Sequence, residues 1–273
     1  MACAGWMASD GFLSEKGVHE GKMGLLEGKV AVVTGGAGGL GKAYCLKMAE
    51  EGARIVVLDI RDKQAHQTVE EIRRKGGSAI AFVGDITSAE DTKRMAEETV
   101  KQFNRIDILV NNAAMASGIT RKPFFEIPVD EWDKLMAVNL KGTFLCCRAV
   151  FPQMEKQGKG KIINISSVAA FTGGGNFIHY VTSKGGILSF TRGLAAEVGR
   201  YGICVNSIAP GVIDTESSRS TIGDIAKAAV NLTPLGRLGQ PNDLVGAVIF
   251  LSSDNSDYIT GQTLTVDGGR YMR

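Results

Sequence analysis

Tyr180 and Lys184 stand four positions apart in "HYVTSKGG", residues 179–186. At that spacing a phenol and an ammonium share one face of a helix. A tyrosine titrates near pH ~10 in water, and a nearby ammonium stabilises the phenolate and lowers that value. The pair is therefore a candidate proton donor and acceptor near neutral pH. Taken alone, it equally describes a solvated helix face.

A second chemical signal lies in "TGGAGGLGKA", residues 34–43, directly after a β-branched run. Glycines at a strand-to-helix turn let the backbone approach a pyrophosphate and aim unpaired N–H groups and the helix dipole at it. Two registers fit: Gly36, Gly38 and Gly41 as GxGxxG, or Thr34, Gly35, Gly39 and Gly41 as TGxxxGxG. The local sequence does not choose between them.

Asp59 ends the next β-branched run, 18 positions beyond Gly41. A carboxylate there accepts hydrogen bonds from a ribose 2′-hydroxyl and repels a 2′-phosphate, which favours NAD over NADP. Arg61, two positions on, leaves a route for tolerating the phosphate, although no basic residue lies between Gly35 and Gly41.

These residues need a scaffold. Seven strand-like runs recur from Gly24 onward: "KVAVVTG", "ARIVVLD", "SAIAFVGD", "IDILVNN", "GKIINISS", "GICVNSIAP" and "QTLTVDGG". Their near-continuous Val, Ile and Leu suits strands buried on both faces of a parallel sheet. Amphipathic stretches over about 39–52, 62–76, 88–104, 130–157, 177–201 and 241–253 read as helices. The alternation predicts an α/β fold, a single doubly wound Rossmann domain with a seven-stranded parallel sheet and helices on both faces.

The balance of 31 Lys and Arg against 29 Asp and Glu, net +2 without long charge runs, gives no footprint for nucleic acid or anionic membrane. Five cysteines without CxxC or Cys/His clustering argue against disulfides and a metal site. A cytoplasmic setting fits this usage. No run approaches the ~20 apolar residues of a membrane span. Residues 1–23 lack a signal pattern and read as a mobile extension, with packing of Trp6 and Phe12 on a neighbour as the alternative, ahead of one domain over 24–273.

Together "TGGAGGLG", "NNAA", Asn139 in "VNLKG", "NISS", "YVTSK" and "APG" resemble the ordered motifs of the short-chain dehydrogenase/reductase family, classical type. The similarity runs from about Gly24 to the C-terminus. It departs from the family in the N-terminal extension and in Ala114, where glycine is usual after "NNA".

The resemblance implies an NAD-dependent oxidoreductase acting on a secondary alcohol or ketone. By it Tyr180 is the general acid/base, Lys184 also holds the nicotinamide ribose, and Ser167, 13 positions before Tyr180, orients the substrate oxygen. Ser166 is read as bonding backbone. Asn139 is implied to hold a water that links Lys184 to bulk, with a side-chain bond to backbone as the alternative.

For the cofactor, the resemblance implies Gly35, Gly38, Gly39, Leu40 and Gly41 around the pyrophosphate, and Asp59 and Ile60 at the adenosine ribose. It places Asp85 and Ile86 around the adenine and Asn112, Ala113 and Ala114 under the nicotinamide-side ribose. Pro210, Gly211, Ile213 and Thr215 would line the nicotinamide, with Thr215 also able to cap the next helix. Asn111 is read as structural, and His179 as pocket rim or solvent-facing.

Ala114, Met115, Ala169, Phe171 and Phe177 are expected to form an apolar pocket, under a mobile lid from the segment after the sixth strand. Alternatives are a 3-oxoacyl carrier-protein reductase, with Arg192 and Arg200 as a weak docking patch, and a silent NAD-binding sensor. The family also implies a homotetramer through helices 130–157 and 177–201 and the C-terminal "DGGRYMR". Phe144, Phe151, Leu188 and Phe190 exceed one core-facing stripe.

Overall fold

The computed structural model describes residues 24–272, except 117, 120, 217 and 220–228. The expected extension over 1–23 and the middle of the expected lid lie outside the described residues.

β1 (Val30–Thr34) buries all five residues, and its pleat sends Val30 and Val32 to one face and Ala31 and Val33 to the other. Around it β2 (Arg54–Asp59), β3 (Ala79–Val83), β4 (Ile108–Asn111), β5 (Gly160–Ile165), β6 (Ile203–Pro210) and β7 (Thr263–Val266) complete one parallel sheet. The order is β3-β2-β1-β4-β5-β6-β7, so the winding reverses between β1 and β4.

Both faces are covered, as the uninterrupted apolar strands require. Helices α1 (Gly39–Glu50) and α2 (Asp62–Arg74) pack on one face with a later helix over Pro241–Ser252. On the other face lie α3 (Ala89–Phe103), α5 (Gly142–Gln157) and α7 (Ile178–Val198). Local signals set several ends. Ser88 Oγ accepts the Asp91 amide at the start of α3, and Gly158, at φ +65°, closes α5.

One expectation changes. The stretch read as a single helix over 130–157 is α4 (Val129–Met136), a π turn over Ala137–Lys141, and α5. The apolar periodicity continues through the turn, so the extra residue is invisible to it. Three short elements were also unexpected: 3₁₀ turns over Phe124–Glu126 and Asp254–Ser256, and α6 (Ala169–Thr172). The helix over Pro241–Ser252 is α8, opened by a capping box between Gln240 and Asp243. Among the described residues no helix is long and apolar enough to cross a membrane, and no cluster of metal-ligating side chains occurs.

Candidate active site

In a parallel sheet every strand ends at the same edge, and the winding reversal opens a crevice there. Thr34, Asp59, Asn111, Ile165 and Pro210, the last residues of five strands, all reach that edge.

The glycine turn settles its own register. Gly35 has φ +67°, and a Cβ on it would lie 2.9 Å from the Ala113 Cα. A Cβ on Gly41 would collide with the Gly35 carbonyl and the Asn112 amide. Gly38, by contrast, is extended at φ −173° and acts as the N-cap of α1. Gly36 is also closely packed, its Cβ position 2.9 Å from Val57 Cγ1, and Gly41 belongs to both patterns; what favours TGxxxGxG is the positive φ of Gly35 and of Gly39, the latter at +52°. Thr34 locks the turn to β4: its Oγ1 accepts the Asn112 and Ala113 amides at 3.0 and 2.9 Å. The Asn112 side chain donates back to the Thr34 and Gly35 carbonyls.

Asp59 is buried at the end of β2. Its carboxylate accepts the Ala37 amide at 3.1 Å and a two-point contact from Arg61, at 3.0 Å from Nε and 3.1 Å from Nη2. Burial alone would raise its pKa, but the Arg61 side chain, with the Arg61 and Ala37 amides, outweighs it and holds the group below its ordinary value. Arg61 thus lies across the turn, 3.4 Å from the position of a Gly38 Cβ. Ile60 is largely exposed beside it. Past β3, the Asp85 carboxylate accepts the Thr87 amide, while Ile86 is buried against Gly142.

Asn139 sits in the π turn, buried, with Oδ1 accepting the Met115 amide at 2.7 Å and Nδ2 donating to Ser183 Oγ at 3.1 Å. The turn swings this side chain inward, where it ties the loop after β4 to α7. A partner that the sequence did not single out is Ser183, which donates to the Tyr180 carbonyl at 2.8 Å.

At the end of β5, Ser166 donates to the Lys184 carbonyl at 2.8 Å, the backbone role expected of it. The Ser167 hydroxyl lies close enough to the phenol of Tyr180 to exert a lowering effect on its pKa, and it accepts the Ala169 amide at 3.2 Å. Lys184 is buried, and its Nζ donates to the Ile165 carbonyl at 2.9 Å while lying 5.9 Å from the Tyr180 ring centroid. Burial lowers the Lys184 pKa to about 8. The Tyr180 pKa is not lowered as the Tyr/Lys spacing suggests. Burial raises it, and the Ser167 hydroxyl opposes this only in part. In the free protein the ammonium serves a carbonyl, not the phenol.

The wall beside Tyr180 is Phe177, which stacks on it at 4.6 Å between centroids and joins Ile119 and Leu135 in a small apolar cluster with Met115. Phe171 stacks on Tyr271 at 4.8 Å, so the C-terminal segment reaches α6. His179 is neither rim nor solvent-facing. It is wholly buried, with Nε2 3.1 Å from Glu131 Oε1, and Glu131 pairs with Lys122 at 2.7 Å. The packing of α4 against α7 covers the face that helical spacing alone leaves open.

After β6, Val168 donates to the Pro210 carbonyl and Gly211 fits closely against Asp267. Ile213 bridges to Gly239, and Thr215 caps the following turn by accepting the Ser218 amide at 3.1 Å.

Comparison with known proteins identifies the family. The family profile described as enoyl-(acyl carrier protein) reductase matches residues 35–270. The chain is 39% identical over 246 residues to the 3-oxoacyl-(acyl-carrier-protein) reductase FabG of Staphylococcus aureus (strain Mu50), covering 89% of this chain and 98% of that one. It superposes with a TM-score of 0.86 on 7α-hydroxysteroid dehydrogenase complexed with NADH and 7-oxo glycochenodeoxycholic acid, at 38% identity over 89% of this chain and 94% of the other. With NAD⁺-bound xylitol dehydrogenase the TM-score is 0.85, at 33% identity over 89% and 99%. A matched profile across most of the chain, on a seven-stranded parallel sheet with a glycine turn at its reversal, places the protein in the short-chain dehydrogenase/reductase family, classical type.

Proposed function

We propose that the protein is an NAD-preferring oxidoreductase that interconverts a secondary alcohol and a ketone, with Tyr180 moving the proton. The observation that carries this reading is the gathering of Ser167, Tyr180 and a buried Lys184 at the sheet edge that holds the glycine turn, with the Ser167 hydroxyl near enough to the Tyr180 phenol to exert a lowering effect on its pKa.

The turn fits a dinucleotide, because nothing stands within 4 Å of the position a Cβ would take on Gly39 and the helix α1 begins at that edge with its first amides unpaired. Gly35, Gly38, Gly39, Leu40 and Gly41 would hold the pyrophosphate, and Asp59 with Ile60 the adenosine ribose. Asp85 and Ile86 would flank the adenine. Asn112, Ala113, Ala114, Pro210, Gly211, Ile213 and Thr215 would shape the nicotinamide end. Once bound, the nicotinamide supplies or accepts hydride.

The residues of the chain do the rest. Tyr180 Oη protonates the substrate oxygen in reduction and receives that proton in oxidation. Ser167 holds the same oxygen and stabilises charge developing on it. Lys184 stabilises the phenolate when it forms, at an ammonium that burial makes easy to deprotonate. Asn139 fixes the position of Met115 and of the Tyr180 turn through Ser183.

A 3-oxoacyl carrier-protein reductase is the second reading, favoured by the likeness to FabG. It would need a basic docking face. Arg192 is exposed, but Arg200 is engaged with Tyr201 at 2.7 Å. A silent sensor is disfavoured by the intact Ser167, Tyr180 and Lys184 set.

The homotetramer belongs to this proposal as well. Leu188 is buried and Phe151 packs on Tyr201, yet Phe144 stays half exposed beside Phe190, with Leu140 and Met136 in the same groove. An apolar groove between α5 and α7 suits a second copy. A cytoplasmic setting is consistent with the unpaired Cys45, Cys146, Cys147 and Cys204.

The experiment is absorbance at the reduced-nicotinamide band, with NAD and NADP in parallel, against secondary alcohols, diols, sterols and 3-hydroxyacyl thioesters. Turnover of an alcohol with NAD supports the first reading. Turnover confined to the thioesters with NADP moves the assignment to the second, and cofactor binding without any turnover favours the sensor.

A further inference from the structure

We infer that Arg121 binds a carboxylate of the substrate, so that the site takes a hydroxy acid or oxo acid in preference to a neutral alcohol or ketone. This rests on Tyr180 as the proton-transfer residue, as proposed above.

Arg121 lies at the end of the loop that follows β4. Its guanidinium carbon stands 4.5 Å from the centroid of Phe177, the ring that stacks on Tyr180 at 4.6 Å. The guanidinium is therefore at most about 9 Å from the Tyr180 ring, within reach of a group on the same small molecule whose oxygen Tyr180 touches.

The guanidinium is exposed and makes two contacts with the protein. One N–H, from Nη1, donates to the Gly175 carbonyl at 3.3 Å, and the Phe177 face orders the plane of the group. The adjoining backbone is fixed by the Lys122 amide, which donates to the Asn176 carbonyl at 2.9 Å. Lys122, Glu131 and His179 clamp the same loop to α4 and α7.

Its charge is not neutralised. Among the described residues no carboxylate lies within ion-pairing distance of Arg121. Glu131, on the nearby helix, already serves Lys122 and His179. A guanidinium has five N–H donors in a planar fork, matched to the two oxygens of a carboxylate, and one donor is in use here.

The test measures initial rates of NADH oxidation with 3-oxobutanoate, 4-oxopentanoate and 5-oxohexanoate and with their methyl esters, for wild type, Arg121→Gln and Arg121→Lys. Wild type is expected to prefer at least one acid over its ester by ~10–10²-fold in kcat/KM, the scale of hydrogen bonds to a charged group. Arg121→Gln should remove most of that preference, mainly by raising KM for the acid, and Arg121→Lys should restore part of it. Equal use of acids and esters by wild type would overturn the inference. So would an Arg121→Gln variant that keeps the preference, or one that slows acid and ester alike, which marks a structural role. Turnover of neutral ketones but of none of these acids also sinks it while leaving the oxidoreductase reading standing. Failure of every ketone would sink both.

Discussion

The Lys184 ammonium donates to the Ile165 carbonyl at 2.9 Å and lies 5.9 Å from the Tyr180 ring centroid, so the two groups share a helix face without touching. The Ser167 hydroxyl is the neighbour that lowers the proton affinity of the phenol. In the proposed mechanism, proton transfer near neutral pH depends on a cation acting across a short gap, in a buried place where Coulomb attraction is little screened.

The pair should titrate as a unit. Oxidation needs the phenolate, so its kcat/KM should rise with pH, while reduction, which needs the phenol, should fall. Lys184→Met removes the cation and should move the midpoint of both profiles upward, toward or beyond the ordinary tyrosine value. An unchanged midpoint in the variant would show that Lys184 does not set the proton affinity.

Lys184 also makes a stability prediction. Burial holds its pKa at about 8, below its ordinary 10.5, so the fold disfavours the charged form. That penalty is complete below pH 8 and is relieved as pH rises from about 8 toward 10.5, where the unfolded chain still binds the proton. The difference in unfolding free energy between wild type and Lys184→Met should shift in favour of wild type over that window. Denaturant midpoints at a series of pH values, at constant slope, measure it.

Coenzyme choice depends on Asp59 and Arg61. With Arg61 laid on Asp59, the carboxylate is less repulsive to a 2′-phosphate than the sequence position suggests. Arg61→Ala should lower kcat/KM with NADP by about tenfold, about 1.4 kcal/mol, and leave NAD unchanged or improved. Equal losses with both cofactors would contradict this account.

The Lys122, Glu131 and His179 chain should matter for folding before it matters for chemistry. Glu131→Ala leaves the buried His179 without its only hydrogen-bond partner among the described residues and should cost about 1–3 kcal/mol. Chemical denaturation checks the value, and a loss below a few tenths would show that α4 and α7 are held by packing alone.

Much of this was legible in the sequence because burial on both faces leaves a plain signature. The seven apolar runs are the seven strands, and "TGGAGG" marks the reversal of winding. The Tyr180, Lys184, Ser167 and Asn139 positions meet at one edge of the sheet, with Asn139 joined to the Tyr180 turn through Ser183. What escaped detection depends on contacts between distant segments. The π turn at Asn139 keeps the apolar period of a helix, so nothing in the pattern marks it. His179 looked exposed because the partner that buries it, Glu131, lies 48 positions away. Helical spacing put Lys184 beside Tyr180, but it could not show that the Ile165 carbonyl takes the ammonium first.

The most direct test of the central claim is Tyr180→Phe, assayed for turnover and for NAD binding in the same preparation. The phenylalanine keeps the stacking with Phe177 and removes only the hydroxyl, so activity should fall by ~10² or more while the affinity for NAD is kept. Turnover within a few-fold of wild type would mean that another group carries the proton, and would contradict the assignment of Tyr180.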